Sequence, residues 1–403
     1  MDAAGIIAEF DPFHNGHKYL LDTVHAELPS HALVCVMSGN FVQRGTPAVC
    51  SKWTRAEMAV RCGADLVLEL PFVYACNSAP EFAKGGVKVL KAAGCDTIAF
   101  GSESGDAERL AHTAELACRE PEEFKAALQN SMSEGRSYAA SYSRALEELD
   151  PATAGLKDTP NDLLAVEYLK QNILQNAGLK PLAVQRKGEG HGSAEGISSG
   201  FASASALREE IRLGNMKSVI VNQPDAIHEL SLAARYLDKA AKYRLFELIR
   251  YSLVVSTPEH LSAIYGMAEG LENAFMKASL IAPNTNDLIM AVKTRRYTYA
   301  RLSRILMAVI TGLTADEYRK IDSEPLPYLR PLAFNDKGAA LLRQIKDRGT
   351  VPIVSNVNKY TPDTEASELM LGKDLLASDI YSLIQGITIY EGSDKTRSPL
   401  YIV

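Results

Sequence analysis

Short, wholly apolar runs alternate with helical stretches through the first hundred residues, and few folds accept that pattern. The runs are Ala3–Glu9, Ala32–Met37, Asp65–Leu70 and Asp96–Phe100, with helical periodicity over Gly16–Glu27, Ser51–Cys62 and Ser78–Ala93. Strands without polar alternation are buried on both faces, which requires a parallel sheet covered by helices on each side. The expected class is therefore α/β, a Rossmann-like parallel sheet. Asp106 to Leu149 reads as helical and Pro151–Asn161 as loop; Asp162–Gln175 is a helix and Lys180–Arg186 a fifth strand. A Gly/Ser-rich loop, Gly188–Gly200, then leads to a helix over Ser203–Leu213. Beyond Gly214 the strand signal fades, and Ala226–Arg250, Pro258–Ala278 and Asn286–Ile310 carry helical spacing. The tail from Pro331 to Val403 is mixed, with a helix expected over Phe334–Ile345 and strand-like ends. The expected division is an α/β domain over 1–220 and a mostly α-helical domain over 221–403.

A chain of 403 residues with 46% hydrophobic and 23% charged residues can bury such a core, and its length favours two domains. The six cysteines include no C-x-x-C pair and several lie in apolar runs, so reduced, structural thiols are expected. No basic-then-apolar leader and no membrane-length apolar run is visible, which points to a cytoplasmic protein. The net charge of −6 argues against a uniformly basic nucleic-acid binder.

Two strings carry chemistry. In GIIAEFDPFHNGHKYLL, Gly5 to Leu21, a buried strand runs into an Asp-Pro turn, and His14, Asn15, Gly16 and His17 open a helix. A helix start after a parallel strand presents unpaired N–H groups and the positive end of the helix dipole, an anion site. Two imidazoles three residues apart add directional donors for phosphate oxygens. The second string is ISSGFASASALREEIRLGN, where Ser203 and Ser205 precede Arg208 at a second helix start. Hydroxyls, orphan amides and a guanidinium one turn in suit the far phosphates of a nucleotide. A surface His pair or a metal site, and an N-cap serine beside a solvated arginine, are the bland alternatives.

A strand leading into H-x-G-H, followed later by S-x-S-x-x-R, resembles the nucleotidylyltransferase superfamily. The strings EFDPFHNGH, VMSGNFVQRGTPAVCSKWTRAEMA, DLVLELPF, FGSESGD, QRKG, SASALR and RYTYARLSRIL, with the Pro160-Asn161 helix start, are more specific. In that order, over nearly the whole chain, they resemble the bacterial tRNA(Met) cytidine acetate ligases. Asp11 departs from the asparagine usual there, and 188–200 matches no family pattern. The resemblance implies an ATP-dependent ligase that activates acetate as acetyl-adenylate, releases pyrophosphate, and acetylates N4 of the wobble cytidine of elongator tRNA(Met). It implies an ATP site formed by the run Ile7, Ala8, Glu9, Phe10, Asp11, Pro12 and Phe13, continuing through His14, Asn15, Gly16, His17, Lys18, Tyr19 and Leu20. Gly101, Asn161 and Arg186 complete it. By residue chemistry, Gly101 lets a ring lie on the backbone, Asn161 offers donor and acceptor at a helix start, and Arg186 ends a strand. His14, His17 and Arg208 are the expected catalytic residues, with Ser203 and Ser205 beside Arg208 on the pyrophosphate. Magnesium would accompany the ATP, although no acidic pair marks its site, and no resident metal ligands are assigned. Ser38, Gly39 and Asn40, after the second strand, are the candidate acetate pocket.

The partner expected from the resemblance is tRNA, which needs a basic surface. Ser231 to Ile310 holds 11 Lys and Arg against 6 Asp and Glu, so the remainder is strongly acidic. The density peaks at Lys293, Arg295, Arg296, Tyr297, Arg301 and Arg304. On one helix, Tyr297, Arg301 and Arg304 would share a face, and arginines with an aromatic suit phosphate contact and base stacking. A solvated basic face is the alternative. Two other functions stay open: an adenylyltransferase acting on a small phosphorylated cofactor precursor, and a non-catalytic nucleotide- or RNA-binding protein.

Overall fold

The computed structural model describes residues 1–119, 121–136, 138–155, 159–187 and 200–403. Its sheet has the order β7-β6-β1-β2-β5-β8-β9. These strands are β1 (Ala3–Ala8), β2 (Ala32–Ser38), β5 (Leu66–Leu70), β6 (Thr97–Ser102), β7 (Lys180–Gln185), β8 (Pro331–Phe334) and β9 (Leu400–Tyr401). A two-stranded hairpin, β3 (Phe41–Val42) and β4 (Thr46–Pro47), stands apart from it. The five strands expected from the sequence are present and mutually parallel.

Alternate residues of the buried strands feed two cores. Ile7, Val34, Val36 and Leu68 meet Val87 and Leu90 of the Ala79–Ala93 helix on one face. Ile6, Leu33, Cys35 and Val67 meet Leu21, Val24 and Ala59 on the other, from the helices Asn15–Glu27 and Lys52–Arg61. The first contact is close because glycines make it so. A Cβ on Gly5 would stand 2.2 Å from Leu90 Cδ2, and one on Gly86 2.4 Å from Ile7 Cδ1.

The second half departs from expectation in two ways. First, its long helical stretches are broken. Ala226–Arg250 keeps one long helix, beginning at Lys239 and running to Val255, and Pro258–Ala278 becomes Pro258–Ser262 and Leu271–Ser279, with Gly266 and Gly270 at positive φ between them. Asn286–Ile310 becomes Thr285–Val292 and Tyr299–Thr311, because Thr298 caps a fresh helix by accepting from the Arg301 N–H. Second, the chain returns to the sheet. β8 pairs antiparallel with β5, and β9 parallel with β8, so the sheet takes strands from both sides of residue 220. One core likewise joins Leu68 and Phe72 to Met370, Tyr381 and Ile384 of the Glu365–Gln385 helix.

A buried ionic cluster fastens this return. Lys52 Nζ lies 2.6 Å from Glu69 Oε1 and 2.7 Å from Asp394 Oδ2. Arg330 reaches Glu69 at 3.1 Å and Asp394 at 2.9 Å. Trp53 Nε1 and the Ser378 hydroxyl also donate to Asp394. All four charged side chains are buried, so each partner is there to neutralise the others.

The six cysteines form no disulfide, and five of them are buried. No helix among the described residues is long and apolar enough to cross a membrane. Most of the Gly/Ser-rich loop, residues 188–199 with His191, lies outside the described residues.

Candidate nucleotide-binding site

A cavity of about 370 Å³ opens at the carboxyl ends of β1, β6 and β7, where parallel-sheet proteins gather ligands. Two helix N-termini face it, those of Asn15–Glu27 and Ala204–Leu213.

The histidines are held by the first of these helix starts. His14 is its N-cap: its Nδ1 accepts from the Gly16 N–H at 3.0 Å. The His14 N–H in turn donates to Nδ1 of His17 at 3.3 Å. The two rings stack with centroids 3.7 Å apart, and His17 also packs edge-on against Phe10 and tilted against Phe13. A neutral imidazole whose Nδ1 accepts must carry its proton on Nε2. Both rings therefore offer an Nε2–H donor, fixed in direction by a backbone bond. Burial pushes the His14 pKa down to about 3, helped by the guanidinium groups of Arg186 and Arg208. Burial, His14 and Arg186 push His17 down as well.

A titration test follows from this. The unfolded chain takes up a proton on His14 near pH 6.5, whereas the folded chain waits until about pH 3. Folding stability should therefore fall as pH drops from 6.5 towards 3, because the unfolded state binds the extra proton. Proton NMR of the His14 ring is expected to show no titration step between pH 8 and 5 in the free protein. A midpoint near 6.5 would contradict the packing described.

Arg208 lies on the second helix start. Ser203 is the N-cap there, accepting from the Ala206 N–H at 3.3 Å. Arg208 donates to the Asp11 carbonyl at 2.7 Å and to the Ser205 hydroxyl at 2.8 Å, and lies 3.6 Å from the Asp11 carboxylate. This ties the two phosphate-suited strings together. The far wall is built from Gly101, Glu103, Asn161 and Arg186. Glu103 accepts from the N–H groups of Asn161 and Asp162, capping the Pro160–Leu174 helix, and from the Asn161 amide. Arg186 donates to Asn161 Oδ1 at 3.4 Å. Gly101 lies inside β6 rather than after it. A Cβ there would meet only Arg186, at an ordinary 3.5 Å. The fold does not need that glycine; a ligand on the backbone would.

Several expected residues do not line the cavity. Phe13 is buried against His17. Pro12 forms the turn through a cis Asp11-Pro12 peptide. The Asn15 amide donates to the carbonyls of Gly200 and Val221, which ties the two helix starts together, and Lys18 pairs with Asp22. Ser205 acts through Arg208. Ser38 and Asn40 are buried, and the carbonyls of Ser38 and Gly39 accept from Arg55, so this segment forms no pocket wall. Gln43, Glu103 and Tyr168 line the cavity unforeseen. Gln43 and Glu103 sit in quoted motifs, but nothing in their spacing marks a role.

The basic segment is also rearranged. Lys293–Thr298 is not helical, so Tyr297 does not continue the face of Arg301 and Arg304. Tyr297 is buried, donates its hydroxyl to Glu269 at 2.8 Å and stacks under Arg301 at 4.7 Å. Arg296 pairs with Glu269. Arg304 is largely buried and donates to the Gln43 carbonyl at 3.2 Å. Lys293, Arg295 and Arg301 remain exposed.

Residues 1–396 match the family model of the HIGH Nucleotidyl Transferases. The chain is 36% identical over 388 residues to the tRNA(Met) cytidine acetate ligase of Caldanaerobacter subterraneus, with 95% of each chain covered. It is 37% identical over 389 residues to that of a Thermoanaerobacter species, again at 95% of each. The Thermotoga maritima TmcAL structure bound with alpha-thio ATP superposes over 100% of both chains, with a TM-score of 0.87 and 27% identity. The cavity residues and the full-length likeness therefore agree: this chain belongs to the tRNA(Met) cytidine acetate ligases of the HIGH nucleotidyl transferase family.

Proposed function

We propose that this chain adenylates acetate with ATP and passes the acetyl group to N4 of the wobble cytidine of elongator tRNA(Met). The observation that carries this reading is the convergence of two neutral Nε2–H donors, the Arg208 guanidinium and two helix N-termini on one cavity. Such a site fits a triphosphate and suits charge developing on a leaving pyrophosphate.

Acetate is ionised at neutral pH and needs no general base. Its carboxylate oxygen attacks the α-phosphorus, the bond to the bridging oxygen of the β-phosphate breaks, and pyrophosphate departs with the electron pair. The cytidine N4 then attacks the acetyl carbon, AMP leaves, and N4 gives up one proton. His14 and His17 donate to phosphate oxygens, and Ser203 and Arg208, the latter held by the Ser205 hydroxyl, form the pyrophosphate side. Asn161 and Arg186, with the open backbone of Gly101, hold the nucleoside.

The cavity carboxylates do not form a magnesium site of their own. Asp11 accepts from the Val49 N–H and faces Arg208, Glu103 caps a helix, and Glu9 accepts from the Gln43 N–H. Magnesium would enter on the phosphates of ATP.

Residues 1–220 would carry the nucleotide chemistry and residues 221–403 the tRNA surface, centred on Lys293, Arg295, Arg296 and Arg301. Neutralising Arg295, Arg296 and Arg301 together should weaken tRNA binding and flatten the slope of log K against log salt by roughly two to three. An unchanged slope would remove the segment from the interface.

Incubation with ATP, acetate and tRNA, followed by assays for AMP and N4-acetylcytidine, tests the whole reading. ATP turnover that ignores acetate would favour an adenylyltransferase for a cofactor precursor. No turnover at all would favour a binding protein.

A further inference from the structure

Among the described residues, one polar group of the cavity wall is built in and left without a partner. Gln43 lines it from the β3–β4 hairpin, and its Nε2 is shut off from solvent with no acceptor. A buried amide donor left unpaired costs about 1–3 kcal/mol, so a structure that keeps one commonly keeps it for a ligand.

The backbone around this amide is pinned. The Gln43 N–H donates to Glu9 Oε1 at 2.6 Å, and its carbonyl accepts from Arg304 at 3.2 Å. Two residues on, the Ser303 hydroxyl donates to the Gly45 carbonyl at 2.7 Å. A Cβ on Gly45, which has φ +78°, would stand 2.4 Å from the Arg304 nitrogen, so the hairpin rests directly on the Tyr299–Thr311 helix. The side-chain amide therefore projects from a fixed base.

Topology indicates what it would meet. Gly101 on β6 and Arg186 after β7 lie on one side of β1, and the hairpin follows β2 on the other. With the nucleoside over β6 and β7 and the phosphates over the histidines, the β2 side is left for the group that attacks the α-phosphorus. Guanidinium groups lie on that side: Arg304 holds the Gln43 carbonyl, Arg55 and Arg208 act on Glu9, and Arg55 spends its donors on the carbonyls of Glu9, Ser38, Gly39 and Cys50 rather than on a carboxylate.

Resting on the acetate-ligase reading above, we infer that Gln43 binds the acetate carboxylate, its Nε2–H donating to the oxygen that does not attack. A neutral amide suits this task. It orients the nucleophile without withdrawing the charge that a guanidinium would neutralise.

The test is a comparison of Gln43→Ala and Gln43→Glu with the unaltered chain, reading the KM for acetate and the Kd for ATP separately. Loss of one hydrogen bond to a charged group predicts a roughly 10- to 100-fold higher acetate KM for Gln43→Ala. The isosteric Gln43→Glu, placing like charge against the carboxylate, should raise it at least as far. The ATP Kd should stay within about twofold in both, which also reports that the variants are folded. An unchanged acetate KM, or a weakened ATP Kd with acetate KM unmoved, overturns the inference and leaves the ligase reading standing. An unaltered chain that forms no AMP from ATP and acetate overturns that reading, and this inference with it.

Discussion

Replacing His14 with asparagine should lower acetate-dependent pyrophosphate release by about 10²–10³-fold while leaving the fold intact. The size follows from removing one preorganised donor aimed at developing charge. The choice of asparagine separates the two roles of the ring. His14 Nδ1 caps the Asn15–Glu27 helix, and an asparagine Oδ1 can accept the same Gly16 N–H. What asparagine cannot supply is the donor at the Nε2 position. His14→Ala loses both, so it should add a capping cost of about 1 kcal/mol to the same rate defect. Steady-state assays of pyrophosphate release, with urea unfolding of both variants, distinguish these outcomes. Full activity in His14→Asn would show that the ring serves only as a cap.

The largest stability effect is expected far from the cavity. Asp394→Ala leaves Lys52 and Arg330 buried with Glu69 as the one carboxylate among the described residues still paired with both. Breaking such a buried group by removing one partner typically costs about 3–5 kcal/mol. Arg319→Ala, which removes an exposed pair with Asp316 and a long exposed hydrogen bond to the Ala315 carbonyl, should shift stability by less than about 0.5 kcal/mol. Denaturant unfolding of the two side by side makes the comparison. The same cluster sets a pH dependence. Burial pushes the Asp394 carboxyl up, but Lys52 and Arg330 outweigh it and hold the pKa at about 2, below the ordinary 3.8. A depressed folded value means the stabilisation is fully present above pH 3.8 and is lost as pH falls towards 2. In Asp394→Ala that part of the acid transition should vanish.

The two predictions mark different kinds of sequence information. The histidine site was legible because its chemistry is local. A strand, a turn and a helix start lie within Ala3–His17, and hydrogen bonds between near neighbours orient both rings. The same holds for Ser205 and Arg208, one turn apart on one helix that Ser203 caps. The buried ionic cluster was not legible, since Lys52, Glu69, Arg330 and Asp394 lie up to 342 residues apart and each alone resembles a surface charge. Gln43 escaped notice for a related reason: a polar residue in a short loop carries no periodicity, and its unpaired amide exists only once Glu9 and Arg304 fix its backbone.

The basic segment makes the contrast sharpest. Its charge was plain in the sequence, as was the −6 that hid it. Its shape was not, because a Thr298 cap and a Glu269 partner from a distant turn outweigh helical spacing. By itself the sequence determined what short-range forces control: the five parallel strands, the helix starts that flank the cavity, and the family whose motifs they carry. Only the tertiary structure decided that the chain returns to complete the sheet, that buried charges lock that return, and that the Gln43 amide is left unpaired in the cavity wall. Those depend on contacts between remote residues, where burial rather than residue type sets the energy of a charge or an amide.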